Sequence, residues 1–546
     1  MKIALAQLNY HIGNFESNTQ KIIDAINRAR TQGADLVVFA ELAVCGYPPR
    51  DFLEFTEFLE LCESSVQDIA AACHGIACIL GTPTRNPKTE GKDLFNSACF
   101  IEDGEIKSIV NKALLPTYDV FDEYRYFEPS AEFNCVDFKG CKIALTICED
   151  LWNINDNPLY IAAPMDQLIE EKPDLMINIA ASPFAYNHDD NRVKVLSDNS
   201  RKYSLPLLYV NQVGAQTEII FDGGSFVFNE EGEILDQLKY FEEDLRIYEF
   251  AGGKIQDLTP VPYNPLPDID QIHQGLLLGI RDYFTKSGFT QAVLGLSGGI
   301  DSAIVCALAA EALGPENVTA VLMPSKFSTD HSIKDAMDLV NNLGCKHYVV
   351  PIKEAADAFE RMLEPAFKGL PFNITEENIQ ARCRAVIVMA FSNKFGYILL
   401  NTSNKSECAV GYGTLYGDMA GAISVLGDVY KTQVYELANH INREREIIPQ
   451  NSIVKPPSAE LRPGQKDSDS LPDYDILDRL LYQYVELKKS SRDIIAQGFD
   501  EELVRKVIKM VNKAEFKRYQ TPPILRVSPK AFGMGRRMPI VGKYLS

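Results

Sequence analysis

The sequence predicts two α/β domains, a layered first half and a second half built as a doubly wound parallel sheet. Three observations carry this. The chain has 546 residues, and a domain takes roughly 100–200. Short apolar runs alternate with amphipathic helical patterns along its whole length. Residues 251–270, AGGKIQDLTPVPYNPLPDID, carry Pro260, Pro262, Pro265 and Pro267 with little periodicity, as an extended linker does. The expected domains are therefore 1–250 and 271–546.

In the first half, Ile3–Leu8, Leu36–Ala40, Cys78–Gly81, Ile143–Ile147, Leu175–Ile179 and Leu207–Val210 read as strands, being short, β-rich and apolar. Amphipathic patterns over Asn18–Gln32 and Leu53–Cys73 read as helices, and SFVFNEEGEIL as an antiparallel hairpin. The second half opens with a helical pattern at Asp270–Ser287. A strand at Gln291–Leu296, a glycine turn and a helix from Ser302 to Leu313 follow. Further strands are expected at Thr319–Met323, His347–Pro351 and Tyr397–Asn401, with helices between them, the pattern of a doubly wound sheet. Residues 456–475 are polar and proline-rich, and are expected to form a mobile loop.

Composition narrows the function classes. With 46% apolar and 24% charged residues, a disordered, collagen-like or disulfide-stapled chain is excluded. The net charge of −21 opposes nucleic acid and anionic membrane at long range, but not a small anionic ligand held by local donors. None of the twelve cysteines forms a C-x-x-C pair, so reduced buried thiols are expected. The N-terminal stretch lacks a signal-peptide pattern and no uncharged apolar run approaches ~18–20 residues, so a cytoplasmic location is expected.

The sharpest motif is Ser297-Gly298-Gly299-Ile300-Asp301-Ser302, between a strand and a helix. Two glycines let the backbone approach a phosphate and present successive N–H groups, and the helix start adds a favourable dipole. Asp301 supplies a carboxylate able to hold Mg²⁺ against the same phosphates. No Walker loop occurs. The motif resembles the S-G-G-x-D-S loop of the ATP pyrophosphatase family, which cleaves ATP to AMP and pyrophosphate.

In the first half Glu41, Lys112 and Cys148 each stand near the exit of an apolar run or in a turn-rich stretch. The trio suits amide hydrolysis. A thiolate attacks the carboxamide carbon, an ammonium lowers the thiol pKa and steadies the oxyanion, and a carboxylate moves the proton to the leaving ammonia. With the flanking FAELAVCGYPPRD, NIAASPF, VNQVG and FDGGS segments, this half resembles the nitrilase (carbon–nitrogen hydrolase) superfamily, whose fold is an α-β-β-α sandwich. Glu123 fits the additional acidic residue often seen beside such triads.

Together the halves resemble the glutamine-dependent NAD⁺ synthetase family over almost the whole chain. The resemblance implies that the first half hydrolyses glutamine, with Glu41 as base, Lys112 as oxyanion-side cation and Cys148 as nucleophile. Tyr118 and Ser182 would contact glutamine, and the basic contact falls on His188 or on Arg192 a turn later. The second half, of the adenine nucleotide alpha hydrolase-like fold, would adenylate deamido-NAD⁺ with ATP, and ammonia arriving through an internal tunnel would displace AMP. For ATP the resemblance implies Gly295, Leu296, Ser297, Gly298, Gly299, Ile300, Asp301, Ser302, Met323, Thr402, Lys431 and Ser458. For deamido-NAD⁺ it implies Asn378, Arg382, Glu407, Asp418 and Lys517, with Asp301 and Glu407 at Mg²⁺. It also implies a homo-oligomer. The tail from Lys513 onward carries eight Lys and Arg and one acid, a basic patch suited to an anionic dinucleotide.

Other classes fit less well. A tRNA thiolase needs reactive cysteines and a basic face. GMP synthetase shares the glycine loop but pairs it with a Cys-His-Glu glutaminase. Asparagine synthetase needs cysteine where this chain has Lys2. A nucleotide-sensing module would not need an intact triad.

Overall fold

The structure is a computed structural model that describes residues 1–154 and 158–544, without the side chain of Asp189. It divides into two compact units, Met1–Leu266 and Pro267–Ser546.

The first unit holds β1 (Lys2–Gln7), α1 (Phe15–Thr31), β2 (Leu36–Val38), α2 (Thr56–Ala72), β3 (Ala77–Arg85), β4 (Leu94–Glu102) and β5 (Glu105–Asn111). There follow β6 (Val136–Phe138), β7 (Cys141–Ile147), α3 (Pro164–Leu168), β8 (Leu175–Ala180), α4 (Asp189–Tyr203) and β9 (Leu207–Asn211). The unit continues with β10 (Val213–Gln216), β11 (Ile219–Asp222), β12 (Phe226–Phe228), β13 (Ile234–Gln237), β14 (Asp244–Ala251) and β15 (Lys254–Ile255). One sheet runs β15-β14-β1-β2-β3-β4-β5 and the other β13-β12-β9-β8-β7-β6, with β10 and β11 as a separate ribbon. Ile3 and Leu5 of β1 join Ile143, Leu145 and Ile177 in the core between the sheets. Ala4 and Ala6 turn the other way, onto Ile22 and Ile26 of α1. Both faces of the strand are buried, so its sequence is a continuous apolar run and not an alternation. This is the α-β-β-α sandwich.

The expected linker is shorter than 251–270. Lys254 and Ile255 pair antiparallel with Ala251 and Phe250, and the next helix already begins at Asp268. Gly252 and Gly253, both at positive φ, turn that hairpin, so the glycines read as linker are a β-turn.

The second unit holds α5 (Asp268–Ser287), β16 (Ala292–Gly295), α6 (Ile300–Leu313), β17 (Val318–Leu322), α7 (Asp330–Leu343), β18 (Lys346–Val349), α8 (Lys353–Phe367) and α9 (Ile374–Phe395). After these come β19 (Ile398–Asn401), α10 (Lys405–Val410), β20 (Ile423–Ser424), α11 (Lys431–Ile441) and α12 (Gln450–Val454), then α13 (Tyr474–Leu481), α14 (Ser491–Ala496), α15 (Glu501–Lys513) and α16 (Glu515–Arg518). The sheet order is β18-β17-β16-β19-β20, every pair parallel. The chain steps outward from β16 and then returns to its other side at β19. Loops leaving two such strands diverge and open a crevice, where ligands of this architecture bind. The helices α13 and α15 close over α10 through Leu477, Leu480, Val504 and Val507.

The segment expected to be mobile makes several hydrogen bonds to the rest of its unit. Glu460 accepts from Thr329 Oγ1 at 3.0 Å and Ser332 Oγ at 2.7 Å, and Asp467 accepts from Tyr412 and Tyr474. Among the described residues no helix is long and apolar enough to cross a membrane, and all twelve cysteines are unpaired.

Candidate active sites

In the first unit Glu41, Lys112 and Cys148 converge and are all buried. The chain turns sharply at both reactive ends, Leu42 taking φ 48° and Cys148 φ 45° directly after β7. Left-handed backbone at non-glycine residues costs free energy and collects at functional sites. Gly81 of β3 lies beneath Glu41, where an added Cβ would stand 2.3 Å from Leu42 N and 2.7 Å from Glu41 Cα. Lys112 Nζ bonds Glu41 Oε1 at 2.7 Å and the Glu123 carboxylate at 2.9 Å. Glu41 Oε2 accepts from the Ala181 N–H at 2.9 Å, and Tyr47 donates to Glu123 at 2.8 Å. Asp150 accepts from the N–H groups of Ala113, Leu114 and Ile147, which ties the segment after Lys112 to the turn carrying Cys148.

The electrostatics of the centre are set by burial and by the carboxylates gathered around Lys112. Burial, then the charge of Glu41, pushes the Cys148 thiol well above its usual range despite the nearby Lys112 ammonium. The lowering effect of the Lys112 ammonium on the thiol is outweighed by burial and by Glu41, Glu149 and Glu123. Burial disfavours the Lys112 charge, but Glu123 and Glu41 outweigh it and hold the ammonium protonated. Burial pushes Glu149 up to about 7.

Tyr118 donates to both oxygens of Glu149, at 2.9 and 3.0 Å, and Tyr160 joins them at 3.1 Å. Ser182, just beyond β8, donates its N–H to Asn211 Oδ1 at 2.9 Å. His188 stacks on Trp152 with ring centroids 5.4 Å apart. Arg192 is 1% exposed and pairs bidentately with Asp222 at 3.0 and 2.6 Å. Its charge is matched inside the protein by the Asp222 carboxylate. Arg192→Met strands the buried Asp222 carboxylate, and the first unit is expected to lose about 3–5 kcal/mol of stability. The chain's single tryptophan, Trp152, reports on this unit, so a lower urea midpoint in its fluorescence checks the result.

In the second unit a cleft of about 320 Å³ opens where β16 and β19 diverge. Gly295, Leu296, Ser297, Gly299, Ile300, Asp301, Ser302, Met323, Thr402, Lys431 and Ser458 line it, and so do Glu407 and Asp418. Gly298 lies behind the lining, at φ 82°, where an added Cβ would meet Ser332 O at 2.1 Å. Ser452 Oγ donates to Gly298 O at 3.0 Å, so α12 and the start of α7 both fix the loop.

Asp301 accepts from Lys431 Nζ at 2.5 Å and from Asn404 Nδ2 at 2.9 Å. Burial, then the Asp301 charge, pushes Glu407 well above the usual carboxylate range. Two carboxylates that oppose one another's ionisation suit a hard divalent cation. Among the described residues no group of three or more His, Cys, Asp or Glu converges as a metal site, so the remaining ligands of Mg²⁺ would be phosphate and water, its usual habit.

Asn378, Arg382 and Lys517 do not line the cleft. They meet on one loop, where Asn378 accepts from Thr414, Arg382 donates to Leu415 O and Lys517 donates to Gly411 O and Gly413 O. That loop ends in Asp418, which accepts from the Thr414 N–H at 2.7 Å.

Asn404, Asn96 and Glu149 were not singled out by sequence reasoning. Asn404 and Glu407 have the N-x-x-E spacing of a capping box, a signal that marks Asn404 as the start of α10. Nothing local marks Asn96, whose partners are distant in sequence.

The sequence matches the carbon–nitrogen hydrolase family over residues 2–259 and the NAD synthase family over 272–521. It is 47% identical to a glutamine-dependent NAD(+) synthetase of Synechocystis sp., over 98% of each chain. It is 43% identical to one of Acinetobacter baylyi, over 99% of this chain and 98% of the relative. Among solved structures it resembles the glutamine-dependent NAD⁺ synthetase of Acinetobacter baumannii in complex with ADP, at 40% identity and a TM-score of 0.78, over 100% and 99% of the two chains. Two catalytic-type centres, one per unit, and relatives this similar over their full length lead to one statement: the chain belongs to the glutamine-dependent NAD⁺ synthetase family.

Proposed function

We propose that the protein converts deamido-NAD⁺ to NAD⁺ with ATP and glutamine, releasing AMP, pyrophosphate and glutamate. The observation that carries this is the presence in one chain of a buried Glu–Lys–Cys centre and a Ser-Gly-Gly loop at the switch point of a parallel sheet.

In the first unit Cys148 Sγ attacks the glutamine carboxamide as its proton passes to Glu41. Lys112 stabilises the oxyanion, and Glu41 returns the proton to the departing nitrogen as ammonia. Water then hydrolyses the thioester to glutamate and restores the thiol. Tyr118, Ser182 and His188 surround the substrate.

In the second unit the nicotinate carboxylate attacks the α-phosphorus and pyrophosphate leaves. Ammonia then displaces AMP from the adenylate. The N–H groups of the 297–302 loop and the Lys431 ammonium hold phosphate, and Met323, Thr402 and Ser458 complete the nucleotide site. Mg²⁺ on Asp301 and Glu407 would supply charge neutralisation for the phosphates. Asn378, Arg382 and Lys517 position the loop that presents Asp418 to the dinucleotide.

The same proposal includes ammonia transfer through an internal tunnel, a cytoplasmic setting and a homo-oligomer. Exposed apolar side chains on β18, α8 and α9, among them Tyr348, Phe359, Met362 and Val386, support self-association.

The test follows NAD⁺, AMP and glutamate together after adding ATP, Mg²⁺, deamido-NAD⁺ and glutamine. Equal yields of all three are expected. Glutamate and AMP without NAD⁺ would point to a different acid as acceptor, and no AMP would overturn the synthetase reading.

A further inference from the structure

Among the described residues that line the cleft of the second unit, three are cations: Arg384, Lys431 and Lys455. Lys431 pairs with Asp301, and Lys455 with Asp335 at 3.0 Å. Arg384 forms no ion pair among the described residues, and its one hydrogen bond runs from Nε to Met323 O at 3.1 Å. An arginine carries five N–H donors in a planar fork, so the four on its terminal nitrogens stand without a protein partner. The side chain is half-buried. Burial acts against its charge, while Asp418 and Glu460 favour the charge without bonding it. A desolvated charge that lacks a partner is costly, and a cation so placed calls for an anion from outside the protein.

Its surroundings say which anion. Ala381, Arg384, Ala385 and Val388 fall at i, i+3, i+4 and i+7 on α9, and all four line the cleft. The neighbours of Arg384 on that face are two alanines, which leave room around the fork. Met323, which anchors Nε, directly follows β17. Asp418 ends the loop on the other side. The proposed synthetase reading gives Met323 to the nucleotide and Asp418 to the dinucleotide, so Arg384 stands where the two substrates meet. Both are anionic there, one through the α-phosphate and the other through the nicotinate carboxylate.

We propose that Arg384 is a further catalytic residue of the adenylation step, its fork bridging the α-phosphate of ATP and the carboxylate that attacks it. The inference rests on the synthetase reading. In that step a carboxylate oxygen bonds to the α-phosphorus. The bond from that phosphorus to the oxygen of pyrophosphate breaks, and its electron pair leaves with pyrophosphate. Negative charge gathers on the α-phosphate oxygens as the two anions close. A forked cation aimed at that charge stabilises the transition state more than either bound substrate.

The experiment gives the full chain ATP, Mg²⁺ and deamido-NAD⁺ without a nitrogen donor, and follows pyrophosphate release in a single turnover. The parent, Arg384→Met and Arg384→Lys are compared, with steady-state kcat and KM measured beside them on ammonium salts. Met keeps an unbranched stem and removes the fork. Its first-turnover release is expected to fall by about 10²–10³-fold, with KM for ATP moving by less than about tenfold. Lys restores the charge without the fork and is expected to recover part of the loss. A Met variant that releases pyrophosphate at the parent's rate overturns the proposal. So does one that raises KM for ATP at unchanged kcat, as a residue that only supports Met323 would. If the Met variant does not fold, the Lys variant decides, and a parent-like single turnover overturns the proposal. No pyrophosphate from the parent is a different failure, that of the synthetase reading itself.

Discussion

Cys148→Ala is expected to lower NAD⁺ formation from glutamine by at least about 10³-fold, since removing the proposed nucleophile of a cooperating set abolishes most of its rate. Formation of NAD⁺ from added ammonium salts should persist, because the adenylating cleft lies in the other unit and none of its lining comes from the first. The check is initial rates with each nitrogen donor, together with the thermal midpoint. Equal loss with both donors would show that Cys148 acts on the second unit by some other route. Undiminished glutamine-dependent synthesis would remove it from the mechanism.

Gly298→Ala is expected to act in the opposite pattern. The residue sits at φ 82°, which side chains rarely adopt, and its new methyl would fall 2.1 Å from Ser332 O. That oxygen belongs to backbone at the start of α7 and cannot swing aside as a side-chain tip can. The loop must shift instead, carrying the N–H groups aimed at phosphate. A displacement near 1 Å costs about 10²-fold in a positioned site, so synthesis from glutamine and from ammonium should fall together by at least that factor. Steady-state rates with both donors, and the KM for ATP, check it. A normal KM with normal rate would place the phosphates elsewhere in the cleft.

Much of both centres was legible because their chemistry is concentrated in short segments. The Ser297–Ser302 loop is contiguous, and strand, turn and helix follow in order around it. Glu41 and Cys148 stand just after apolar runs that fold as β2 and β7. What eluded the sequence depends on contacts across long separations. The pairing of Arg192 with Asp222 spans 30 residues and nothing local announces it. The strands β4 and β5, which deliver Asn96 and Lys112, were not read. In β5 most residues are at least partly exposed, so its pattern lacks the apolar signature of the inner strands. The net direction of the thiol shift lay beyond the sequence because it depends on burial and on how many carboxylates the fold gathers around one lysine. The linker glycines were misread because the same residue serves a flexible tether and a tight turn.

Gly81 has a consequence for how loss of function would be recorded in this protein. The place of Glu41 depends on an atom that is missing from the neighbouring strand, at a position with no chemistry of its own. A methyl group there would dislodge Glu41 while every polar residue of the centre stayed intact. A lineage that no longer needed glutamine could therefore fall silent through a substitution that a survey of reactive residues would pass over. The hereditary mark of an active first unit is as much an empty space in β3 as the reactive side chains themselves.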